Sequence, residues 1–306
     1  MSKTTPIRIG TRSSELATWQ ARQVESQLKS QGHPTEIVFV KSEGDLDLTT
    51  PLTEMGGKGV FTKALDDALM NHRIDVAVHS YKDLPTENPL PLKVSAVMER
   101  EDPRDSLVAP RGTAFLDDVN ISATIATSSN RRKAQWLHRY PNHEITNIRG
   151  NVNTRLGKID EEGWDGAIFA AAGLKRIALD HHISAYLDWM VPAPAQGAMA
   201  VMVREDDDQM SKITSHLNHK ETELCTGLER ELLNEMEAGC SAPVGAYAWL
   251  EDNDVILHAV ALKIDGSLQY DIEIKEKADQ SKGLGRKAAR KLLKQGADKL
   301  VEDLRK

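Results

Sequence analysis

With 39 lysines and arginines against 46 aspartates and glutamates, the 306-residue chain has a formal net charge of −7, which argues against wholesale nucleic-acid binding. Its 40% hydrophobic content suffices for a substantial core, and its length suggests about two domains, with three small ones possible. No apolar run approaches the roughly 18 residues of a membrane-spanning helix, and Met1 to Pro6 lacks the apolar stretch of an export signal, so a cytoplasmic protein is expected.

The first two-thirds alternates short apolar runs with helical patterns, the mark of α/β structure with a largely parallel sheet. Ile7 to Gly10 is a short strand, followed by a helix whose Leu16, Trp19, Val24 and Leu28 fall near helical spacing and which Gly32 stops. Glu36 to Val40 is the next strand. Residues 44–59 have no period and three glycines near their end, which predicts a long loop of the kind that serves as a lid or stays disordered. A helix from Val60 to Met70 and a strand from Asp75 to His79 follow. Residues 100–112 look like a crossing between domains. A second α/β block then runs through a strand at 123–127, a helix to about residue 140, strands at 144–149 and 165–170, and a helix from residue 152 between them. Val191 to Gly197 is a second hinge-like stretch, and Ala198 to Arg204 a strand after it. The last block changes character: a helix from about residue 220, strands near 244–250, 254–263 and 268–275, and a basic amphipathic helix over 284–303. The expected division is residues 1–99 with 198–217 as domain 1, 105–193 as domain 2, and 220–306 as domain 3.

Two strand-to-helix turns look alike: Gly10-Thr11-Arg12-Ser13-Ser14-Glu15 and Thr127-Ser128-Ser129-Asn130-Arg131-Arg132. Each offers hydroxyls and arginine at a helix N-terminus, where unpaired N–H groups and the helix dipole favour an anion. Serine capping accounts for the hydroxyls but not for the arginines, since a cation is unfavourable at that end. Arg149 ends a strand, Arg155 lies in the first turns of the next helix, and Arg176 follows a strand and a small-residue turn. Any one of these six alone reads as a surface cation. Together, in a net acidic chain, they suggest a ligand with several carboxylates or phosphates, which guanidinium groups grip bidentately. Gly56-Gly57-Lys58-Gly59 does not fit the GxxxxGK[ST] nucleotide loop, and the Gly10 turn does not fit GxGxxG.

His79-Ser80-Tyr81-Lys82-Asp83-Leu84-Pro85 closes a strand on a Lys-Asp pair. A carboxylate among arginines would stay ionised and could stabilise a developing cation or shuttle protons; alone, the pair reads equally as a surface turn. Cys240 sits in Glu237-Ala238-Gly239-Cys240-Ser241-Ala242-Pro243, a turn where a thiol is accessible and therefore a nucleophile. Cys225, beside Leu224 and Leu228 in a helical pattern, reads as a buried inert thiol. Neither cysteine is part of a CxxC pair and the histidines form no metal-ligand spacing, so no disulfide framework and no metal are expected.

Seven segments in order resemble the porphobilinogen deaminase (hydroxymethylbilane synthase) family: Gly10-Thr-Arg-Ser-Ser-Glu-Leu-Ala, Gly56-Gly-Lys-Gly-Val-Phe-Thr-Lys, Ala77-Val-His-Ser-Tyr-Lys-Asp-Leu-Pro, Thr127-Ser-Ser-Asn-Arg-Arg, Arg149-Gly-Asn-Val-Asn-Thr-Arg-Leu, Ala172-Gly-Leu-Lys-Arg, and Glu229-Arg-Glu with Gly239-Cys240. The resemblance implies two periplasmic-binding-protein-like α/β domains with a hinge, plus a small C-terminal α+β domain. It implies a transferase of tetrapyrrole (heme) biosynthesis. Four porphobilinogens would be joined head to tail onto a dipyrromethane primer with loss of ammonia, and water would then release the linear tetrapyrrole hydroxymethylbilane.

By the same resemblance, Cys240 holds the dipyrromethane cofactor through a thioether, and Asp83 is catalytic, with Lys82 beside it. Lys82, Asp83, Ser129, Arg131, Arg132 and Arg155 match cofactor-binding positions. Arg12, Ser14, Lys58, Arg149, Arg155 and Arg176 match positions that bind substrate carboxylates. A monomer with no nucleic-acid, membrane or obligate protein partner is expected. Ala238, Ala195 and Ala242 depart from the family, standing where glycine, glycine and a β-branched residue are usual. A second reading keeps the arginines and both crossings: a non-enzymatic, hinge-closing binding protein for a polycarboxylate anion. It leaves Cys240 and the third domain without a role.

Overall fold

The computed structural model describes residues 5–41, 62–87, 91–118, 120–237 and 242–303. The predicted loop 44–59 with Lys58, and the turn carrying Ala238 and Cys240, lie outside these residues. In chain order the elements are β1 (Ile7–Thr11), α1 (Glu15–Ser30), β2 (Thr35–Phe39), α2 (Lys63–Met70), β3 (Val76–Ser80), β4 (Leu92–Val97) and β5 (Asp105–Val108). Next come β6 (Thr124–Ala126), α3 (Asn130–Arg139), β7 (Glu144–Thr146), α4 (Val152–Glu161), β8 (Gly166–Ala170), α5 (Ala171–Arg176), β9 (Ala185–Tyr186) and β10 (Met199–Arg204). The chain finishes with α6 (Asp208–Ser215), α7 (Lys220–Glu235), β11 (Val244–Glu251), β12 (Asp254–Leu262), β13 (Gln269–Lys277), α8 (Leu284–Leu292) and α9 (Asp298–Asp303).

Two five-stranded sheets follow one plan. The first has the order β2-β1-β3-β10-β4 and the second β7-β6-β8-β5-β9. In each, three neighbouring strands run parallel and the fourth place is taken by an antiparallel strand, β10 in one and β5 in the other. A parallel strand buried on both faces needs apolar residues at successive positions, and Val76-Ala77-Val78 and Ala167-Ile168-Phe169 supply them. One face of the first sheet packs Ile9, Val76, Val78 and Val201 on Val24 and Leu28 of α1, and the other packs Ala77 and Met202 on Leu65 and Leu69 of α2. The second sheet packs Leu107 and Ile168 on Trp136 of α3, and Phe169 and Ala167 on Ile159 of α4 and Leu174 of α5. The third sheet is the antiparallel meander β11-β12-β13. Its Val244, Ala246, Leu257 and Ile274 meet Leu228 and Leu232 of α7 and Ala288 and Leu292 of α8.

The chain divides into two compact units, Met1–Glu101 with Ala198–Glu223, and Asp102–Gly197 with Leu224–Lys306. Within the second unit the C-terminal sheet rests on α3. Ala134, Val191, Val260 and Leu262 share a core, and the Gly266 turn lies so close that a Cβ there would sit 2.4 Å from the His138 backbone nitrogen. No helix among the described residues is long and apolar enough to cross a membrane.

Three expectations change. The stretch 100–112 is not only a crossing, because β5 lies inside it, every residue of the strand buried. The small-residue turn before Arg176 is the short helix α5. The helix expected over 284–303 breaks after Leu292, where Gly296 takes φ 118°, and resumes as α9. A side chain there would put Cβ 2.5 Å from the Tyr270 hydroxyl, so only glycine lets the chain pass.

Candidate active site

In the first unit, β1 and β3 are adjacent parallel strands in the register Ile9↔Val76 and Gly10↔Ala77, so the turns that follow them leave the same edge of the sheet. In open α/β sheets that C-terminal edge is where ligands bind. One turn carries Arg12 and Ser14, both half-buried, and Ser14 caps α1 by accepting the Ala17 N–H at 3.4 Å. Capping uses the hydroxyl as acceptor and leaves its own O–H as a donor. Buried Thr11 donates to the Ala17 carbonyl at 2.9 Å, locking strand to helix.

The other turn carries Lys82 and Asp83 on the single 3-10 turn Tyr81–Asp83. It is tied down from three directions. The Tyr81 N–H donates to the Ala198 carbonyl at 3.0 Å, the Leu84 N–H closes the turn on Tyr81, and the Leu84 side chain is buried. Gln20 of α1 donates to the Ser80 hydroxyl at 2.9 Å. On this anchored backbone Lys82 is half-buried and the Asp83 carboxylate is exposed. His79, one residue inside the strand, is buried, and its Nε2 has no hydrogen-bond partner among the described residues. Burial, with the nearby Arg12 charge adding, pushes its imidazole down to about 4, so it is neutral at physiological pH.

In the second unit the parallel strands β7, β6 and β8 likewise send their following segments to one edge. Ser129 caps α3, accepting the Arg132 N–H at 3.4 Å. Half-buried Arg149 comes from the segment after β7, and the Arg155 Nε donates to the Gly150 carbonyl at 2.7 Å. Arg176 is buried and donates to the Gly197 carbonyl at 2.6 Å. Six of the predicted residues, Ser129, Arg131, Arg132, Arg149, Arg155 and Arg176, thus belong to segments that follow the strands of this one sheet.

Arg131 and Arg132 are more deeply set than an N-terminal turn suggests. Both bind Asp105, the first residue of β5: Arg131 Nη1 donates to Oδ2 at 2.6 Å and Arg132 Nε to Oδ1 at 2.9 Å. Gln196 Nε2 donates to the same Oδ1 at 3.0 Å. Burial pushes the Asp105 carboxyl up, but the Arg131 and Arg132 charges outweigh it and hold the group far below the usual carboxylate range. Arg131 Nη1 also reaches the Val191 carbonyl at 2.9 Å, while its Nε is buried with no hydrogen-bond partner among the described residues. Asp105, Gln196 and His79 escape a reading of residue types, because the charged run Glu101-Asp-Pro-Arg-Asp reads as solvated surface.

Glu229 of α7 is fully buried and accepts the Ala195 N–H at 2.6 Å and the Ala248 N–H at 2.8 Å. It thereby fixes the segment that presents Gln196 and Gly197. Ala195 takes φ 62°, the left-handed conformation that favours glycine. Cys225 is buried in α7, as its neighbours in the sequence lead one to expect.

Each of the two α/β sheets thus carries cationic turns at its C-terminal edge, and the first also carries an exposed carboxylate there. The family described as porphobilinogen deaminase, dipyromethane cofactor binding domain, matches residues 7–212, and the porphobilinogen deaminase C-terminal domain matches residues 223–294. The chain belongs to the porphobilinogen deaminase family. Porphobilinogen deaminase of Chlorobium limicola is 41% identical over 306 residues, covering 97% of each chain. That of Pelobacter propionicus is 39% identical over 302 residues, again covering 97% of each. Among solved structures, the Bordetella pertussis BvgS VFT2 domain aligns with 69% of this chain and 85% of its own, at 12% identity and a TM-score of 0.42.

Proposed function

We infer that the chain is a porphobilinogen deaminase, a transferase that joins four porphobilinogens head to tail with loss of ammonia and releases hydroxymethylbilane by hydrolysis. The observation that carries this reading is the Asp83 turn, a carboxylate left exposed on an anchored backbone at the sheet edge that also presents Arg12. When the substrate loses its amine as ammonia, the remaining methylene-pyrrole is a cation, and a fixed carboxylate offsets that charge while accepting pyrrole N–H bonds. Asp83 has the position for this and for moving the proton released when the new carbon–carbon bond forms. Arg12, Ser14 and Lys82 supply donors for the acetate and propionate groups beside it, and Arg149, Arg155 and Arg176 supply them on the second sheet.

The residues of the second unit fit a dipyrromethane. Its carboxylates need buried or half-buried donors, and Arg131 Nε is a buried donor with no hydrogen-bond partner among the described residues. Ser129, Arg131, Arg132 and Arg155 would hold it there, with Cys240 as the covalent anchor. Held there, it would supply the pyrrole end onto which the chain is built. Residues 220–306 are a third domain in this reading, in which α7 leads into the turn that bears Cys240. We place the enzyme in the cytoplasm, acting without nucleic acid, membrane or obligate protein partner.

The intact mass of the chain purified from a host that supplies porphobilinogen tests the reading. An excess of two pyrrole units and colour with Ehrlich's reagent are expected, both lost in Cys240→Ala. An unmodified, colourless wild-type chain would return the choice to a non-enzymatic polycarboxylate-binding protein.

A further inference from the structure

Between Lys282 and Lys294 the chain carries six cations and no carboxylate, in a molecule whose net charge is −7. The apolar side of α8 is accounted for by packing: Leu284, Ala288, Ala289 and Leu292 are buried in the core of the C-terminal sheet. Contact with solvent would accept any polar residue on the other side, yet Arg286, Lys287, Arg290, Lys291 and Lys294 all stand there, exposed. Like charges three and four residues apart repel, and cations in the first turn oppose the helix dipole. The arrangement therefore works against the helix and calls for a reason other than folding. Together with Gly283, these five side chains line an open concavity of about 340 Å³. We propose that this cationic cup is a binding site for a free small molecule bearing two adjacent phosphate groups.

Three of the cations are oriented by carboxylates of neighbouring elements. Glu235, the last residue of α7, accepts Arg290 Nε at 2.8 Å, which leaves both terminal nitrogens of that guanidinium as donors. Glu276 of β13 accepts Lys287 Nζ at 2.8 Å, and Glu231 of α7 lies 3.3 Å from Arg286 Nη1. Arg286 lies against Gly283, its Nη2 3.2 Å from the place a Cβ would take. Lys291 and Lys294 have no ion-pair partner among the described residues, so the cup holds two cations that no carboxylate faces. From Arg286 to Lys294 the cations cover two turns, about 12 Å of helix, which is more than one phosphate meets. Phosphate suits these donors because each group brings nearly two negative charges and three acceptor oxygens to forked guanidinium and point-charge ammonium groups. A lining of cations and one glycine lacks the apolar and aromatic centre of a protein interface. With the apolar side of α8 occupied by the core, nothing remains on this face to enter a bilayer.

The test is a calorimetric titration of the full chain with inorganic diphosphate, beside a chain carrying Lys291→Gln and Lys294→Gln. Both substitutions fall at exposed positions outside the proposed catalytic machinery, so fold and turnover should stay at the wild-type level. Diphosphate affinity is expected to fall about tenfold or more in the variant, as the loss of two charges close to the ligand dictates. The wild-type affinity should also weaken as salt is raised, because the cup is open to solvent. Equal diphosphate affinity in the two chains, or no binding to wild type, overturns the proposal. So does capture by phosphatidylserine vesicles or by polyglutamate that diphosphate does not displace, which would give the cup to a membrane or to an acidic protein. None of these results touches the roles proposed for Asp83 and Cys240, which the adduct mass tests separately.

Discussion

Replacing Glu229 by alanine strikes a point where three segments meet. Its carboxylate, on α7, accepts the N–H of Ala195 at 2.6 Å and that of Ala248 in β11 at 2.8 Å, and all three residues are buried. A hydrogen bond to a charged group contributes about 1.5–3 kcal/mol, and a buried N–H left without an acceptor costs a similar amount. Losing both bonds therefore costs about 3–5 kcal/mol, with water entering the vacated space recovering part of the upper range. Glu229→Gln keeps the volume but has one carbonyl oxygen for two donors, so about half that loss is expected. Urea unfolding gives the stability change, and hydrogen exchange at the Ala195 and Ala248 amides locates it. Gln196 and Gly197 follow directly in the chain and serve Asp105 and Arg176, so turnover should fall with stability. A Glu229→Ala loss below about 1 kcal/mol, or unchanged exchange at both amides, would refute this account.

Asp83 is exposed and its carboxylate makes no hydrogen bond to a described residue, so Asp83→Asn should leave stability within about 0.5 kcal/mol while lowering turnover by about 100-fold or more; near wild-type turnover would remove its catalytic role. Ala195→Gly relieves a left-handed backbone at φ 62° and should raise stability by about 0.5–1 kcal/mol in the same urea assay, once the extra freedom of glycine in the unfolded chain is counted; a decrease would contradict the strain. Asp66 of α2 is buried, and that burial pushes its carboxyl up to about 6 against the opposing hydrogen bond of Thr62. A folded-state value above the unfolded one favours folding at low pH, and the contribution is lost as pH rises through about 6. Asp66→Asn should therefore match wild type near pH 4 and exceed it by about 1–2 kcal/mol at about pH 8, allowing for solvent screening; equal stability at both would refute the buried-carboxylate reading.

Much of the architecture is written in local patterns. Val76-Ala77-Val78 and Ala167-Ile168-Phe169 announce buried parallel strands, and the Ser14 and Ser129 caps mark where helices begin. The cationic turns were legible for the same reason: hydroxyls and arginine at a helix start is a short-range signal. Asp105 was not, because its partners lie 26 and 27 residues away and its own neighbours are charged. Glu229 is hidden in the same way inside a polar helix, with partners 34 residues before it and 19 after. Charge alone reads as solvated surface, and only long-range pairing turns a carboxylate into core. The break in the C-terminal helix falls at Gly296, whose φ of 118° suits glycine alone, so a single glycine inside the basic pattern marks it.

The shared strand plan of the two sheets shows what distinguishes their anion turns. Asp105 opens the antiparallel strand β5 opposite Ala170, the last residue of β8. Met199 opens the corresponding strand β10 opposite Ser80, the last residue of β3. One place in the plan therefore holds a carboxylate in the second sheet and a thioether in the first. In the second sheet that carboxylate draws two arginines into the interior and fixes them. In the first, Met199 brings no charge to that place, and Arg12 is half-buried. Buried guanidinium groups fixed by an ion pair suit a ligand that is held, whereas a more accessible cation beside an exposed carboxylate suits one that arrives, reacts and moves on. On the proposed function, the residue that opens the fourth strand of each sheet separates the place for a held ligand from the place for a passing one.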